Sequence, residues 1–229
     1  GRIICEEQMR DIRNAITYLT SRKEVDEERI GLIGYSLGGA HSNYVAATDK
    51  KVRFMISIAG IGDGERWLHE RFRRESTESE WNKFLQRIEA DRKLRASSSK
   101  SHYIDMLEVM QAPPNIRKFV REARRLFPPP KGPVVEVPLQ TAESILEHKP
   151  ENVVHEISPR PALWIHGDAD NLVSDRESRS AYSKAKKPKK LVIIPEADHL
   201  LFSDPTRPVF NKVCKIIFDW IRTIGIRPH

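Results

Sequence analysis

Only two of the 229 residues are cysteine, Cys5 and Cys214, near opposite ends of the chain. So placed, they make neither a disulfide framework nor a C-x-x-C pair, which argues against a stapled secreted scaffold and favours a reducing, cytoplasmic compartment. No apolar run approaches the roughly 18 residues that a membrane helix needs. Aromatic residues are sparse, at 7%. The densest basic run, KAKKPKK from Lys184 to Lys190, has none interleaved, so the net charge of +7 reads as a solvated basic face and no nucleic-acid partner is expected. Repeats and low-complexity tracts are missing too. No His, Cys, Asp or Glu spacing has the form of a metal site, and no metal or cofactor is expected. The chain starts at Gly1 rather than Met, so these first residues are not expected to be the natural start, and the lack of a signal peptide says little.

What is present alternates between two periods. Met9, Ile12, Ile16 and Leu19 fall on one face of a helix expected over Glu6–Ser21. Arg29–Tyr35 (RIGLIGY) is a short, unalternating apolar run that reads as a buried strand, followed by a helix over Leu37–Asp49. Val52–Gly60 is a second such strand, Pro161–Gly167 a third and Lys189–Glu196 a fourth. A closing helix carries an apolar stripe that includes Val213, Ile217 and Trp220. Buried strands between amphipathic helices imply an α/β fold with a mostly parallel sheet covered on both faces. Residues 63–150 interrupt this alternation. They are charged and helix-prone, with Trp67, Phe72, Trp81 and Tyr103 among spaced apolar anchors, and are broken at Phe127–Pro133 (FPPPKGP). The expectation is a helical cap inserted between core segments 1–62 and 151–229, lying over the carboxyl edge of the sheet. Its anchors either form its own small core or face a substrate.

The stretch Gly34-Tyr35-Ser36-Leu37-Gly38 is a G-x-S-x-G motif, with Gly39 following. It lies between an expected strand and an expected helix, the context that makes the motif informative. So sharp a turn strains the backbone at the serine and exposes its hydroxyl at the sheet edge. Side chains at Gly34 and Gly38 are expected to collide with neighbouring backbone. The Leu37 N–H, at the helix start, can point at a developing oxyanion. A serine alcohol is a weak nucleophile and needs a base, which an acid must orient. The loops after the third and fourth strands share the edge of Ser36. His199, in a turn just past the fourth strand, is the best base among eight histidines. His166 ends a strand and is expected to order its loop. His41 and His155 read as structural, and His69, His102, His148 and His229 lie in the cap or at the terminus. Asp168 and Asp170 are the candidate acids. Asp170 is favoured because it lies far enough along its loop to swing back to His199, whereas Asp168 can cap the turn. Asp198, adjacent to the base, should point away from it.

These residues resemble the α/β-hydrolase superfamily, in particular its branch of dienelactone hydrolases, prolyl oligopeptidases and X-Pro dipeptidyl peptidase-like esterases. The matching motifs are D-x-x-R-I-G-x-x-G-x-S-x-G-G from Asp26 to Gly39, H-G-x-x-D-x-x-V from His166 to Val173, and Asp198-His199. The resemblance covers the two core segments and not the cap. It implies Ser36 as nucleophile on an elbow, Asp170 as acid, His199 as base and the Leu37 N–H in an oxyanion hole. The implied activity is that of a serine hydrolase, cleaving an ester, lactone or amide of a small-molecule acyl substrate through an acyl-serine. Within the same fold the alternatives are a serine peptidase, an acyltransferase or a C–C bond hydrolase. From another class, the rival is a hydrolase-fold receptor that has lost catalysis. In this superfamily further strands precede the nucleophile strand, and a loop among them brings the second oxyanion donor. Here one helix precedes it, and the only His-Gly, His166-Gly167, belongs to the acid loop. The expectation is an N-terminal fragment or second chain that completes the sheet and supplies the second donor.

Overall fold

The unalternating apolar runs become the strands of one parallel sheet; the two inner ones are buried throughout, as strands covered on both faces are, whereas the outer ones, Gly31–Tyr35 expected as buried among them, are partly exposed. The computed structural model describes residues 2–98, 100–126 and 136–225. In chain order these form α1 (Cys5–Thr20), β1 (Gly31–Tyr35), α2 (Leu37–Thr48), β2 (Phe54–Ile58), α3 (Gly64–Glu75) and α4 (Glu78–Ser98). There follow β3 (Tyr103–Asp105), α5 (Met106–Val109), α6 (Pro114–Leu126), β4 (Glu136–Pro138) and α7 (Gln140–Glu147). The chain continues with β5 (Ala162–Gly167), α8 (Arg176–Lys184), β6 (Lys189–Ile194) and α9 (Pro208–Thr223). No helix among the described residues is long and apolar enough to cross a membrane.

By contact, the chain divides into two compact units: Met9–Asp63 with Pro150–His229, and Gly64–Lys149 with Gly1–Gln8. The first holds the main sheet, in the order β1-β2-β5-β6. All its neighbours run parallel, with Tyr35 opposite Ile58, Ile58 opposite Ile165 and Gly167 opposite Ile194. This register brings every strand's carboxyl end to one edge, so loops far apart in sequence emerge side by side. Phe54, Ile56, Leu163 and Ile165 are buried against Val213, Ile217 and Trp220 of α9, with the Phe54 and Trp220 rings meeting edge to face at 6.1 Å. Burying each such side chain contributes about 1.5–3 kcal/mol. On the other side α2 packs on β1 and β2 through small residues, including Ala40, Val45 and Ala46, which are fully buried.

The second unit has an aromatic core of its own. Phe72 stacks on Phe84 at 4.8 Å and meets Trp81 at 5.3 Å, with Trp67 and Leu68 buried beside them in sequence. Tyr103, in contrast, is 60% exposed. Besides its helices, the described part of the segment holds one strand pair. β3 and β4 pair antiparallel, with Ile104 opposite Val137. Strands of three residues are too short for a period of two to register, so only the long-range pairing reveals them. The expected break at Phe127–Pro133 lies outside the described residues.

Candidate active site

β1 ends at Tyr35 and α2 begins at Leu37, so Ser36 alone makes the turn. Its backbone sits at φ 56°, ψ −123°, a left-handed conformation that a non-glycine residue holds only when its surroundings enforce it. The Ser36 N–H donates to the Ile58 carbonyl at 2.9 Å, and the Ser36 carbonyl accepts the Gly39 N–H at 2.9 Å. Crowding explains two of the three glycines. A Cβ on Gly34 would lie 2.0 Å from the Gly38 carbonyl oxygen, and one on Gly39 would lie 2.8 Å from Ser57 Oγ and 2.9 Å from the Gly60 Cα. The expected collision at Gly38 does not occur: a Cβ there meets nothing within 4 Å. The helix turns position 38 outward and 39 inward onto β2, which an x-G-G sequence leaves open. Leu37 is the first residue of α2, where a backbone N–H has no intrahelical acceptor.

Two loops on the same edge supply the partners. His199 opens a short 3-10 turn (His199–Phe202) beyond β6. Its Nε2 lies 3.0 Å from Ser36 Oγ, and its Nδ1 lies 2.7 Å from Asp170 Oδ2. A carboxylate only accepts, so Nδ1 carries the proton and Nε2 accepts from the serine hydroxyl. Asp170 is held in turn: Oδ1 accepts the Leu172 and Val173 N–H groups at 2.9 and 2.8 Å. Burial would raise its pKa, but hydrogen bonds from His166 and His199 outweigh burial and bring it down to about 2. His166, fully buried, turns Nε2 to the Val173 carbonyl at 2.9 Å and to Asp170 Oδ2 at 3.3 Å, while its Nδ1 lies 2.7 Å from Ser178 Oγ. It therefore orders the loop that carries Asp170.

The remaining candidates lie elsewhere. Asp168 Oδ1 accepts the Glu196 N–H at 2.7 Å, tying the β5 loop to the β6 loop. Asp198 caps the histidine turn through the Leu200 N–H and pairs with Arg207 at 2.8 Å. His41 is buried in α2, and burial pushes its pKa down to about 4. His155 pairs with Glu156, His69 with Glu78 and His102 with Asp91; His148 is buried in the second unit, and His229 lies outside the described residues. One residue that the sequence did not single out reaches the site. The Tyr35 hydroxyl donates to the His199 carbonyl and lies 2.8 Å from Ser203 Oγ. Its position beside the serine was the sole signal for it.

A hydroxyl on one nitrogen of an imidazole, with an ionised carboxylate on the other, can give up its proton while it attacks a carbonyl carbon. The alpha/beta hydrolase fold family profile matches residues 2–206. An uncharacterized 31.7 kDa protein of the traX-finO intergenic region of Escherichia coli is 23% identical over 226 residues, 97% of this chain and 74% of its own. The polyketide transferase grgF of Penicillium sp. is 25% identical over 199 residues, 86% of this chain and 64% of its own. The crystal structure of the α/β hydrolase GrgF from Penicillium sp. sh18 is similar with a TM-score of 0.73 at 22% identity, covering 97% of this chain and 73% of that one. The crystal structure of the Paleococcus ferrophilus monoacylglycerol lipase is similar with a TM-score of 0.68 at 18% identity, covering 96% and 76%. Sheet order, elbow and a profile match over most of its length together place the chain in the alpha/beta hydrolase fold family.

Proposed function

We propose that this protein is a serine hydrolase that cleaves a carboxylic ester, lactone or amide of a small molecule through an acyl-serine. The observation that carries this reading is the unbroken hydrogen-bond chain Ser36–His199–Asp170. His199 Nε2 takes the Ser36 proton as Oγ bonds to the substrate carbonyl carbon. The imidazolium so formed lies against the ionised Asp170 and then protonates the leaving alkoxide or amine. Water attacks the acyl-serine, gives its proton to His199, and Ser36 leaves with that proton. The Leu37 N–H donates to the oxyanion, and one such donor is worth about 10² to 10³ in turnover. The residue motifs fit the dienelactone hydrolase and prolyl oligopeptidase-like branch, and the two free cysteines suit a reducing, cytoplasmic location.

The second oxyanion donor is assigned to a further polypeptide segment paired with β1. Among the described residues that strand is bonded on one side only, to β2, and its Ile33 is 51% exposed. An open parallel edge of this kind is a template for another strand. A second reading, acyl transfer, is favoured by the likeness to a polyketide transferase. It uses the same acyl-serine, resolved by a substrate nucleophile in place of water.

A fluorophosphonate probe tests the reading. The protein should label at one serine, located by peptide mapping at Ser36, and should release p-nitrophenol from short acyl esters. A folded protein that does neither overturns it. An acyl-enzyme that forms and persists in water, but discharges onto an added alcohol or amine, selects the transferase.

A further inference from the structure

We propose that Tyr35, the residue before the serine, is a positioning residue that straps the histidine turn to the end of β1 and so sets His199 Nε2 against Ser36 Oγ. This rests on the reading of Ser36 as nucleophile and His199 as base. The turn that carries His199 is a single short one beyond the last strand, and a loop keeps a catalytic geometry only where it is anchored. Tyr35 anchors both of its ends. Its hydroxyl donates to the carbonyl of His199, which opens the turn, and lies 2.8 Å from the Oγ of Ser203, which closes it. The phenol has one proton, given to the carbonyl, so Ser203 is the donor to the phenol oxygen. Burial pushes the Tyr35 pKa up to about 12, so the hydroxyl remains a donor throughout neutral pH.

The ring does a second job. It stacks on the His199 imidazole, with centroids 5.3 Å apart and planes 27° from parallel. Phe202 packs edge-on against Tyr35 at 6.2 Å and stacks in turn on Phe210 of α9 at 5.1 Å. This aromatic string ties the strand end, the histidine turn and the last helix together. Tyr35 is bonded directly to Ser36, so any shift of the strand end carries nucleophile and strap together and preserves the 3.0 Å contact. An aromatic face also favours a positive imidazolium. Among the described residues, titratable and charged groups near His199 include Asp170 with His166 behind it and the Asp198–Arg207 pair at its flank, with the Ser36 hydroxyl in front.

Two substitutions in the full protein separate hydroxyl from ring. Tyr35→Phe removes the strap and keeps the stack; Tyr35→Leu removes both. Hydrolysis of p-nitrophenyl acetate is followed across pH, with fluorophosphonate labelling and thermal melting alongside. Tyr35→Phe should lower kcat roughly tenfold, since small misplacements of reacting groups cost that much or more. KM should stay within about a factor of two, and the midpoint of the acid limb should not move. Tyr35→Leu should lower kcat further, because the imidazole loses its stacked ring as well as the strap. A wild-type kcat in Tyr35→Phe overturns the strap while leaving Ser36 labelling, and the parent reading, intact. A wild-type protein that neither labels nor turns over sinks both. Should Tyr35→Leu not fold, the Tyr35→Phe kcat alone decides.

Discussion

At the Ser36 edge two buried polar groups are held by several partners: Asp170 accepts from two backbone N–H groups and from His199, and His166 meets Val173, Asp170 and Ser178. The centre of the inserted unit is instead a cluster of rings, with most of its ion pairs toward the surface and a few polar groups, among them Arg71 and Asp91, buried. Arg92 pairs at the surface with Glu143 and Glu147, and Lys83 with Glu80, while Phe72, Trp81 and Phe84 fill the centre. In one region buried polar atoms are fixed by hydrogen bonds on a sheet stabilised by aliphatic burial; in the other, exposed charges contribute little and the rings hold the unit together. Substitutions should therefore separate: at the sheet edge activity is lost and stability kept, and in the insertion the reverse.

The largest expected effect is that of Ser36→Ala. It should lower turnover by roughly 10⁶ and leave the melting temperature nearly unchanged. Activity within about tenfold of wild type would end the mechanism. Next comes Asp170→Asn, expected to cost about 10⁴ in kcat because an amide holds the wrong histidine tautomer. Asp168→Asn should be far milder, since Asp168 meets the Glu196 N–H and not His199; comparable losses in the two would reverse the assignment of the acid. In the insertion, Phe72→Ala should destabilise by about 3–5 kcal/mol in chemical denaturation with fluorophosphonate labelling per folded molecule unchanged. If labelling falls while stability holds, the ring reaches the substrate and the contrast between the regions breaks.

The smallest effect is one of pH. Burial holds His41 at about 4 in the folded protein, against an ordinary value of 6.5. Between these values the unfolded chain binds the proton and the folded one does not, so stability falls as pH drops from 6.5 to about 4 and is level with respect to this group outside that window. The loss is on the order of 3 kcal/mol, and His41→Asn should remove it. Denaturation midpoints for both proteins at pH 7 and pH 4.5 measure the difference. Parallel lines would mean that His41 takes no part.

How much of this was legible in the sequence differs element by element. FMISI and ALWIHG could be recognised as strands because burial on both faces demands a local, continuous apolar run; RIGLIGY and KKLVII, the partly exposed outer strands, carry a similar unalternating run. The elbow could be recognised because its strand, serine and helix are contiguous. The three-residue strands β3 and β4 could not, since their pairing joins Asp105 to Glu136 across a long stretch of chain. Nor could the relative crowding of Gly38 and Gly39, which depends on how α2 is turned against Ser57 and Gly60 of the neighbouring strand segment.

The sequence by itself determined the sheet-and-helix alternation, the serine turn and a short set of acids and histidines in loops after strands, because these are properties of neighbouring residues. Only the tertiary structure decided which of them meet. Ser36 and His199 stand 163 positions apart, and Tyr35 and Ser203 stand 168 apart. Parallel register puts every strand's carboxyl end on one edge, and hydrogen-bond geometry there selects Asp170 over Asp168 and brings in Tyr35. Reach of that kind depends on angles and distances between separate loops, which no local pattern records.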